Sequence, residues 1–434
     1  MAREMKDSGI EWIGKIPVEW RTNTAIQLFT QVKNRNTDLQ EQNLLSLSYG
    51  KIKRKDINTT DGLLPENFDG YNIIEADDIV LRLTDLQNDQ RSLRVGLTTE
   101  RGIVTSAYLT IRNRSDSIAA YLYYYLHSFD ISKGFYGMGA GVRQGLNWDG
   151  VKWLKILSPS REEQLRIVNF LDKECSRIDS VIDQTRASIE EYKKLKQAVI
   201  TQAVTKGIRP GRQMKDSGIE WLGSIAFDWK LFKLKAIISL IESGTSVNAA
   251  QYPASDGEIG VLKTSCVSRL KFIPSENKAV NTDEIYRVSC PVKANTIIMS
   301  RMNTPDLVGA CGFIEIDYPN LFLPDRLWQV HFEKTVNVKY LWYYLNSKNI
   351  RNYYGSLAVG TSSSMQNISQ DQFYLTYIPL PSENEQNEIV SYLDEKVEGI
   401  DTLITEKERL LSNLESYKKS LIYEYVTGKK EVPA

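Results

Sequence analysis

The chain repeats itself, and that repeat limits the fold more than anything else in its 434 residues. Residues 5–20 read MKDSGIEWIGKIPVEW and residues 214–229 read MKDSGIEWLGSIAFDW, with eleven of 16 positions identical at an offset of 209. A second pair follows at an offset of 222: PSREEQLRIVNFLDKECSRID from Pro159 and PSENEQNEIVSYLDEKVEGID from Pro381. Between them lies a weaker echo, YLYYYLHS from Tyr121 and YLWYYLNS from Tyr340. Two tandem copies of about 210 residues account for all three pairs. Each copy has a short start motif, a divergent centre and a helical end.

The helical ends follow from spacing. Ser160 with Glu163, and Ser382 with Glu385, fit a capping box, in which side chains and backbone N–H groups satisfy each other. Apolar positions then recur at alternating intervals of three and four. In copy one they are Val168, Leu171, Cys175, Ile178, Ile182, Thr185, Ile189, Tyr192, Lys196, Val199 and Ala203. In copy two they are Val390, Leu393, Val397, Ile400, Ile404, Lys407, Leu411, Leu414, Lys418, Leu421 and Tyr425. This is a coiled-coil seam of about five heptads, about 52 Å long. Polar residues interrupt it at matching places, Thr185 with Lys407 and Lys196 with Lys418. They either fix the register or carry their charges out to water.

Residues 158–213 carry 11 Lys/Arg against 8 Asp/Glu, and residues 382–434 carry 7 against 12. Opposite signs favour pairing one helix with the other. The centres carry strand signals, such as DDIVLRLTD, GIVTSAYLTIR and NTIIMSRMN, plus one tyrosine-rich helix each over Ile118–Ser128 and Val338–Lys348. The predicted fold class is α+β. Two mixed α/β globular domains stand in tandem, separated by a two-helix antiparallel coiled coil with pseudo-twofold symmetry. The expected divisions are 1–157, 158–213, 214–380 and 381–434. AVTKGIRPGRQ between the copies is similar to YVTGKKEVPA at the end, so the two ends of the chain are expected to lie close together.

Composition excludes several chemistries. Lys+Arg and Asp+Glu are both 54, so no general basic character marks a nucleic-acid binder. The two histidines and four cysteines have no zinc spacing, no metal site is expected, and His127 and His331 read as structural. No apolar run reaches the ~18 residues of a membrane helix, and a cytoplasmic location is expected. There is no GxxxxGK[ST] phosphate loop and no recognisable hydrolase triad. Phe135–Gly141, FYGMGAG, contains an FxGxG pattern known from cofactor loops. It follows a helix where such a loop follows a strand, and YYGSLAVGTSSS in copy two does not preserve it. No catalytic residue is expected.

The repeated flanks with two divergent centres resemble the specificity subunit of a type I restriction–modification enzyme, over essentially the whole chain. The resemblance implies that each centre is a target recognition domain reading one half of a split double-stranded DNA site in the major groove. It also implies that the helices set the spacing between halves and dock two methyltransferase subunits. Restriction subunits, an ATP-dependent motor and nuclease, join in the full complex. The chain itself is then non-catalytic and holds no cofactor. S-adenosylmethionine is expected on the methyltransferase partner, for N6-adenine methylation.

With that resemblance, basic and amide side chains in the centres become DNA-binding candidates, since Arg suits guanine and Asn or Gln suits adenine. In copy one they are Lys51, Lys53, Arg54, Lys55, Arg82, Thr84, Arg143, Gln144 and Asn147. In copy two they are Lys263, Arg269, Lys271, Arg301, Asn303, Ser362, Ser363, Ser364 and Gln366. Each centre is nearly neutral, 20 basic against 19 acidic residues over 1–157 and 16 against 15 over 214–381. Weak DNA binding by the chain alone is therefore expected, and tight binding in the complex. The alternative is a coiled-coil scaffold with two protein-binding heads and no DNA readout.

Overall fold

The computed structural model describes residues 3–58, 67–89, 93–138, 145–362 and 365–433, with backbone only over 359–362. It divides into two compact units. Unit 1 is Met1–Arg186 with Arg409–Ala434, and unit 2 is Ala187–Glu408.

Each unit opens with the start motif folded as a ribbon. Met5–Asp7 pairs antiparallel with Lys15–Pro17 in unit 1, and Met214–Asp216 with Ser224–Ala226 in unit 2. The turn between the strands explains the repeated D-S-G. The Asp7 side chain accepts the Gly9 N–H at 2.9 Å and the Ser8 hydroxyl accepts that of Ile10 at 3.1 Å. Gly9 and Gly14 take φ of 65° and 70°, and Gly218 and Gly223 take 72° and 69°, a region that favours glycine.

The divergent centre enters and leaves through paired strands. Arg21–Thr24 runs against Lys155–Ser158, and Lys230–Lys233 against Tyr377–Leu380. Within each centre the main sheet has four antiparallel strands. Their order is Phe29–Gln31, Leu109–Asn113, Ile79–Leu81, Val95–Leu97 in unit 1. In unit 2 it is Ile238–Ser243, Leu327–Phe332, Thr296–Ser300, Cys311–Ile314. Unit 2 adds a mixed sheet in which Gly260–Leu262 runs parallel to Tyr318–Phe322. The tyrosine-rich helices span Ala119–Ile131 and Val338–Leu345. The second stops three residues short of the expected Lys348 and restarts as Lys348–Leu357, with Ser347 as the new N-cap.

The long helices are Arg161–Lys206 and Glu383–Val426. Within unit 1 Arg186 meets Glu415 at 3.0 Å and Asp179 meets Lys418 at 2.6 Å. One helix rises as the other falls, so the segments are antiparallel. The same holds in unit 2, where Lys196 meets Asp401 at 2.7 Å and Arg209 meets Glu388 at 3.1 Å. Val168, Leu171, Ile178, Ile182 and Ile189 are buried, as are Val390, Leu393 and Ile400, while Ile404 and Leu411 are half-buried. Near the helix ends the stripe widens: Ile200 and Val204 are buried as well as Ala203, and Ile422 and Val426 as well as Leu421 and Tyr425. There each helix packs on the globular part too. Trp20, Tyr121, Tyr125, Leu171 and Tyr425 share one core in unit 1, and Trp229, Tyr340, Tyr344, Leu393 and Val204 share one in unit 2.

The expected capping boxes form only in part. The Glu163 N–H donates to Ser160 Oγ at 3.2 Å and the Glu385 N–H to Ser382 Oγ at 3.4 Å. The carboxylates do not return to the cap backbone. Glu163 accepts from Trp20 Nε1 at 2.9 Å and from Arg3 at 2.7 and 3.0 Å. Glu385 accepts from Trp229 Nε1 at 3.1 Å and from Arg212. Both carboxylates are buried, and a buried charge needs a cation more than it needs a cap. The next residue ties in the tyrosine-rich helix: Gln164 Oε1 accepts the Ile118 N–H at 2.8 Å, and Gln386 Oε1 accepts that of Asn337 at 2.9 Å. Glu-Gln in the repeated motif thus joins start motif, long helix and tyrosine-rich helix.

Both histidines are in internal roles. His331 Nε2 lies 2.7 Å from Glu242 Oε2. His127 is buried and stacks on Tyr123 with ring centres 5.5 Å apart. Burial pushes its pKa down to about 4, with Lys418 and Lys419 adding to the effect. At the other end of the chain, Lys429 Nζ donates to the Lys15 carbonyl at 2.6 Å and Tyr423 OH to that of Trp12 at 3.2 Å. The last turn of the second long helix therefore packs on the first start motif. No helix among the described residues is long and apolar enough to cross a membrane.

Candidate nucleic-acid interface

In each unit the loop that follows a central strand of the main sheet meets the segment that precedes the exit strand. In unit 1 the strand Ile79–Leu81 leads into Arg82 and Thr84. The Leu83 carbonyl accepts the Leu146 N–H at 2.9 Å, which brings Asn147 beside them. In unit 2 Thr296–Ser300 leads into Arg301 and Asn303. The Arg301 carbonyl accepts the Ile368 N–H at 3.0 Å, and Asn303 sits opposite Gln366 in the sheet formed by Met302–Asn303, Met365–Asn367 and Val359–Ser362. So the structure joins Arg82, Thr84 and Asn147, and it joins Arg301, Asn303, Gln366 and the strand that ends at Ser362. Arg143, Gln144, Ser363 and Ser364 lie outside the described residues, as does the end of the FYGMGAG loop.

These side chains are partly engaged. Arg82 lies 3.6 Å from Asp89. Asn147 caps the short helix Trp148–Val151, its Oδ1 accepting the Gly150 N–H at 3.1 Å. Arg301 Nε donates to the Asp325 carbonyl at 2.9 Å, and Asn303 Nδ2 to Ser300 Oγ at 3.3 Å. Thr84 is exposed, and its carbonyl accepts from Arg94 at 2.8 Å.

Among the described residues, no hydrogen bond joins the Lys51–Lys55 run to this tip. Its strand, Lys51–Arg54, pairs with Leu45–Ser48. Lys51 leans on Asp179 of the long helix at 3.5 Å, and Arg54 holds Glu100 through Nε at 2.8 Å. Lys53 and Lys55 are exposed and make no ion pair among the described residues. In unit 2 Lys263 pairs with Glu276 at 2.7 Å, and this hydrogen bond with that of Ser265 holds the Glu276 carboxyl below its usual range. Arg269 is exposed. Lys271 faces a groove of about 740 Å3 walled by Glu398, Asp401 and Glu406, a poor setting for phosphate.

Two residues that sequence reasoning passed over hold these loops. Arg94 is fully buried, and its guanidinium donates to the carbonyls of Arg82 at 3.0 Å, Thr84 at 2.8 Å, Asp85 at 3.3 Å and Asp89. Its Nε reaches Tyr136 OH at 3.1 Å, and its backbone N–H donates to Asp130 at 2.6 Å. In unit 2 Arg351 donates to the carbonyls of Val308 and Asp306, both at 2.7 Å, and burial lowers its pKa. Each loop is thus shaped by one arginine serving as a multi-donor fork. The repeat does hint at Arg3 and Arg212, which stand two residues before the matched stretch at the same offset of 209. Nothing periodic marks Arg94 or Arg351.

Comparison with known proteins bears on this arrangement. Residues 227–412 match the family model for a type I restriction modification DNA specificity domain. The chain is 26% identical over 283 residues to the type I restriction enzyme MjaVIII specificity subunit of Methanocaldococcus jannaschii, a match covering 64% of this chain and 63% of that one. It is 26% identical over 186 residues to the EcoEI specificity subunit of Escherichia coli, covering 42% of this chain and 31% of that one. The chain thus spans less than two thirds of the length of these two relatives. The putative MjaX specificity subunit of M. jannaschii is 24% identical over 97% of this chain and 96% of its own. Among solved structures, a chain from a study of complex assembly and conformational transition in a type I R-M system superposes with a TM-score of 0.67 at 15% identity, covering 96% of this chain and 99% of that one. That likeness extends to the fold of both copies. Residues 227–412 thus match the type I restriction modification DNA specificity domain, and the chain as a whole is similar to type I restriction enzyme specificity subunits.

Proposed function

We propose that this chain is the non-catalytic DNA-recognition subunit of a type I restriction–modification complex. Each divergent centre reads one half of a split site in the major groove. The observation that carries the reading is the paired tip: Arg82, Thr84 and Asn147 on one frame, Arg301, Asn303 and Gln366 on the equivalent frame. A shared scaffold with different polar side chains at the same place is what two half-sites of different sequence require. Lys53 and Lys55 supply phosphate contacts at the flank of the first centre.

The long helices set the distance between half-sites and dock two methyltransferase subunits. Support comes from apolar side chains off the seam. In unit 1 Val181, Leu410 and Tyr417 are exposed, and in unit 2 Leu195 and Leu403 are. Within unit 1, Leu410 and Tyr417 stand seven residues apart, as a third helix in a bundle demands. The S-adenosylmethionine and the methyl transfer belong to the partner, and restriction subunits join through it.

The test is co-expression with the cognate methyltransferase subunit in a methylation-free host, with modified adenines read by single-molecule sequencing. The expected result is one split motif with one modified adenine in each half. Exchanging residues 21–157 for another centre should alter one half alone. A soluble complex that modifies nothing, or an exchange that alters both halves, refutes the assignment.

A further inference from the structure

Unit 2 contains a groove of about 890 Å3. It lies along the first long helix, beside the ribbon turn at Leu222 and the start of the helix Lys348–Leu357. The repeat shows why it is open here. At the offset of 222, Thr201 matches Tyr423, and at the offset of the tyrosine-rich segment Lys348 matches Phe129. In unit 1 those two aromatic rings pack on Trp12, with ring centres 6.0 and 5.4 Å away. In unit 2 the side chains are a threonine and a lysine. The matching Trp221 stacks on Tyr353 at 4.4 Å, so no aromatic cluster fills the space.

The groove's chemistry is specific. Leu222, Leu270 and Leu307 give it apolar ground. Gln197 Oε1 and Thr201 Oγ1 are shielded from solvent and have no hydrogen-bond partner among the described residues. Such atoms are rare in a folded protein and mark a missing partner. Lys206 and Lys348 stand at the rim, exposed and with no ion pair among the described residues. Lys193 and Lys194 add charge, each tied only to an exposed glutamate one turn away, at 2.8 and 2.9 Å.

We infer that this groove takes an acidic, extended polypeptide segment of a partner protein. Three features select that occupant. The amide acceptor of Gln197 wants an N–H donor, which a peptide backbone supplies and a phosphodiester does not. The leucines want apolar side chains. The rim lysines want carboxylates. A double helix of DNA is too thick for a cleft of this size and would offer it no apolar contact. Because unit 1 fills the equivalent space with Tyr423 and Phe129, one chain takes one such segment. The two copies are otherwise alike in their frame, so the groove lets a partner distinguish them.

The test uses the full chain without DNA, so its result is separate from DNA readout. A fluorescein-labelled peptide of about eight residues, alternating Glu and Leu, is titrated by fluorescence anisotropy. A Lys-Leu peptide and a labelled oligothymidylate of about eight nucleotides serve as comparators. Saturable binding of the acidic peptide is expected, weakened by about tenfold or more in Lys206→Glu/Lys348→Glu. It should also be lost in Thr201→Tyr/Lys348→Phe, which gives unit 2 the side chains of unit 1. Thermal melting by circular dichroism establishes that each variant is folded, and Gln197→Leu provides a second, milder variant. Absence of saturable binding, or equal binding by all folded variants, overturns the proposal. So does tighter binding of the oligothymidylate that is lost in the same variants.

Discussion

Lys418 donates a 2.6 Å hydrogen bond to Asp179 across the helix pair of unit 1, and the equivalent Lys196 meets Asp401 at 2.7 Å in unit 2. Both lysines occupy seam positions. Burial alone would raise the Asp179 carboxyl; the hydrogen bond and charge of Lys418, helped by Lys51, hold it below its usual range. The seam lysines are therefore paired side chains at matching registers. Lys418→Met should destabilise the chain by about 1–3 kcal/mol, because it strands a partly buried carboxylate. Asp179→Asn added to it should recover part of that loss. A double-mutant cycle by urea denaturation measures the coupling, and additive losses would show that the pair does not interact.

Arg212 and Glu385 form a buried ion pair at the start of the second long helix. Arg212→Met leaves that carboxylate with only the Trp229 indole, and about 3 kcal/mol of stability should be lost. Arg212→Met/Glu385→Gln removes the stranded charge and should regain most of it. Denaturant midpoints of the two variants decide this. An Arg212→Met midpoint equal to wild type would mean that the pair contributes nothing.

Arg94 touches no DNA candidate through its side-chain tip except by backbone carbonyls, so it is a positioning residue. Arg94→Met frees the carbonyls of Arg82 and Thr84. In the methylation assay, the first half-site should become degenerate while the second stays sharp. Retained discrimination in both halves, with the variant folded, would remove Arg94 from the recognition loop.

Asp130 is buried near the Arg94 backbone, and burial raises its pKa to about 6, opposed by the Arg94 hydrogen bond and charge. Its pKa in the unfolded chain is near ~3.9. The folded state therefore holds the proton more tightly, and the resulting stabilisation is present below ~3.9 and lost as pH rises through about 6. Asp130→Asn cannot ionise, so its melting temperature relative to wild type should climb between pH 5 and 8. A flat difference across those pH values would mean that Asp130 titrates normally.

Lys53 and Lys55 test the phosphate contacts. In the assembled complex, replacing both with Gln should lower the slope of log K against log salt by up to ~2, at about 0.9 per phosphate. An unchanged slope would place both lysines away from DNA.

The frame was legible because its physics is local and periodic. The three-and-four spacing from Val168 and from Val390 runs along the buried stripe, and the D-S-G turn follows from Asp7, Ser8 and Gly9. The centres were legible only in part. DDIVLRLTD and NTIIMSRMN contain strands of the main sheets, Ile79–Leu81 and Thr296–Ser300. GVLKTSCVSRL contributes only Gly260–Leu262 before turning into the 3-10 segment Thr264–Val267. Its parallel partner lies far along the chain at Tyr318–Phe322, a pairing that leaves no local trace. The fate of Glu163 was misread for a related reason. Capping spacing is a property of one helix turn, whereas its partners Arg3 and Trp20 come from the other end of the centre. The candidate cations split on the same line: sequence names Lys51 and Arg54, but only tertiary contacts show that Asp179 and Glu100 engage them.

The neck of paired strands, Arg21–Thr24 against Lys155–Ser158 and Lys230–Lys233 against Tyr377–Leu380, has a consequence for heredity. A centre that begins and ends on adjacent strands can change its length and interior while the frame sees the same two attachment points. The flanks repeat in amino-acid sequence, with eleven of 16 positions shared between the two start motifs. Recombination between the segments that encode them would exchange a whole centre in one event. On the proposed function, a lineage would then acquire one new half-site beside the old one without passing through a misfolded or half-specific intermediate.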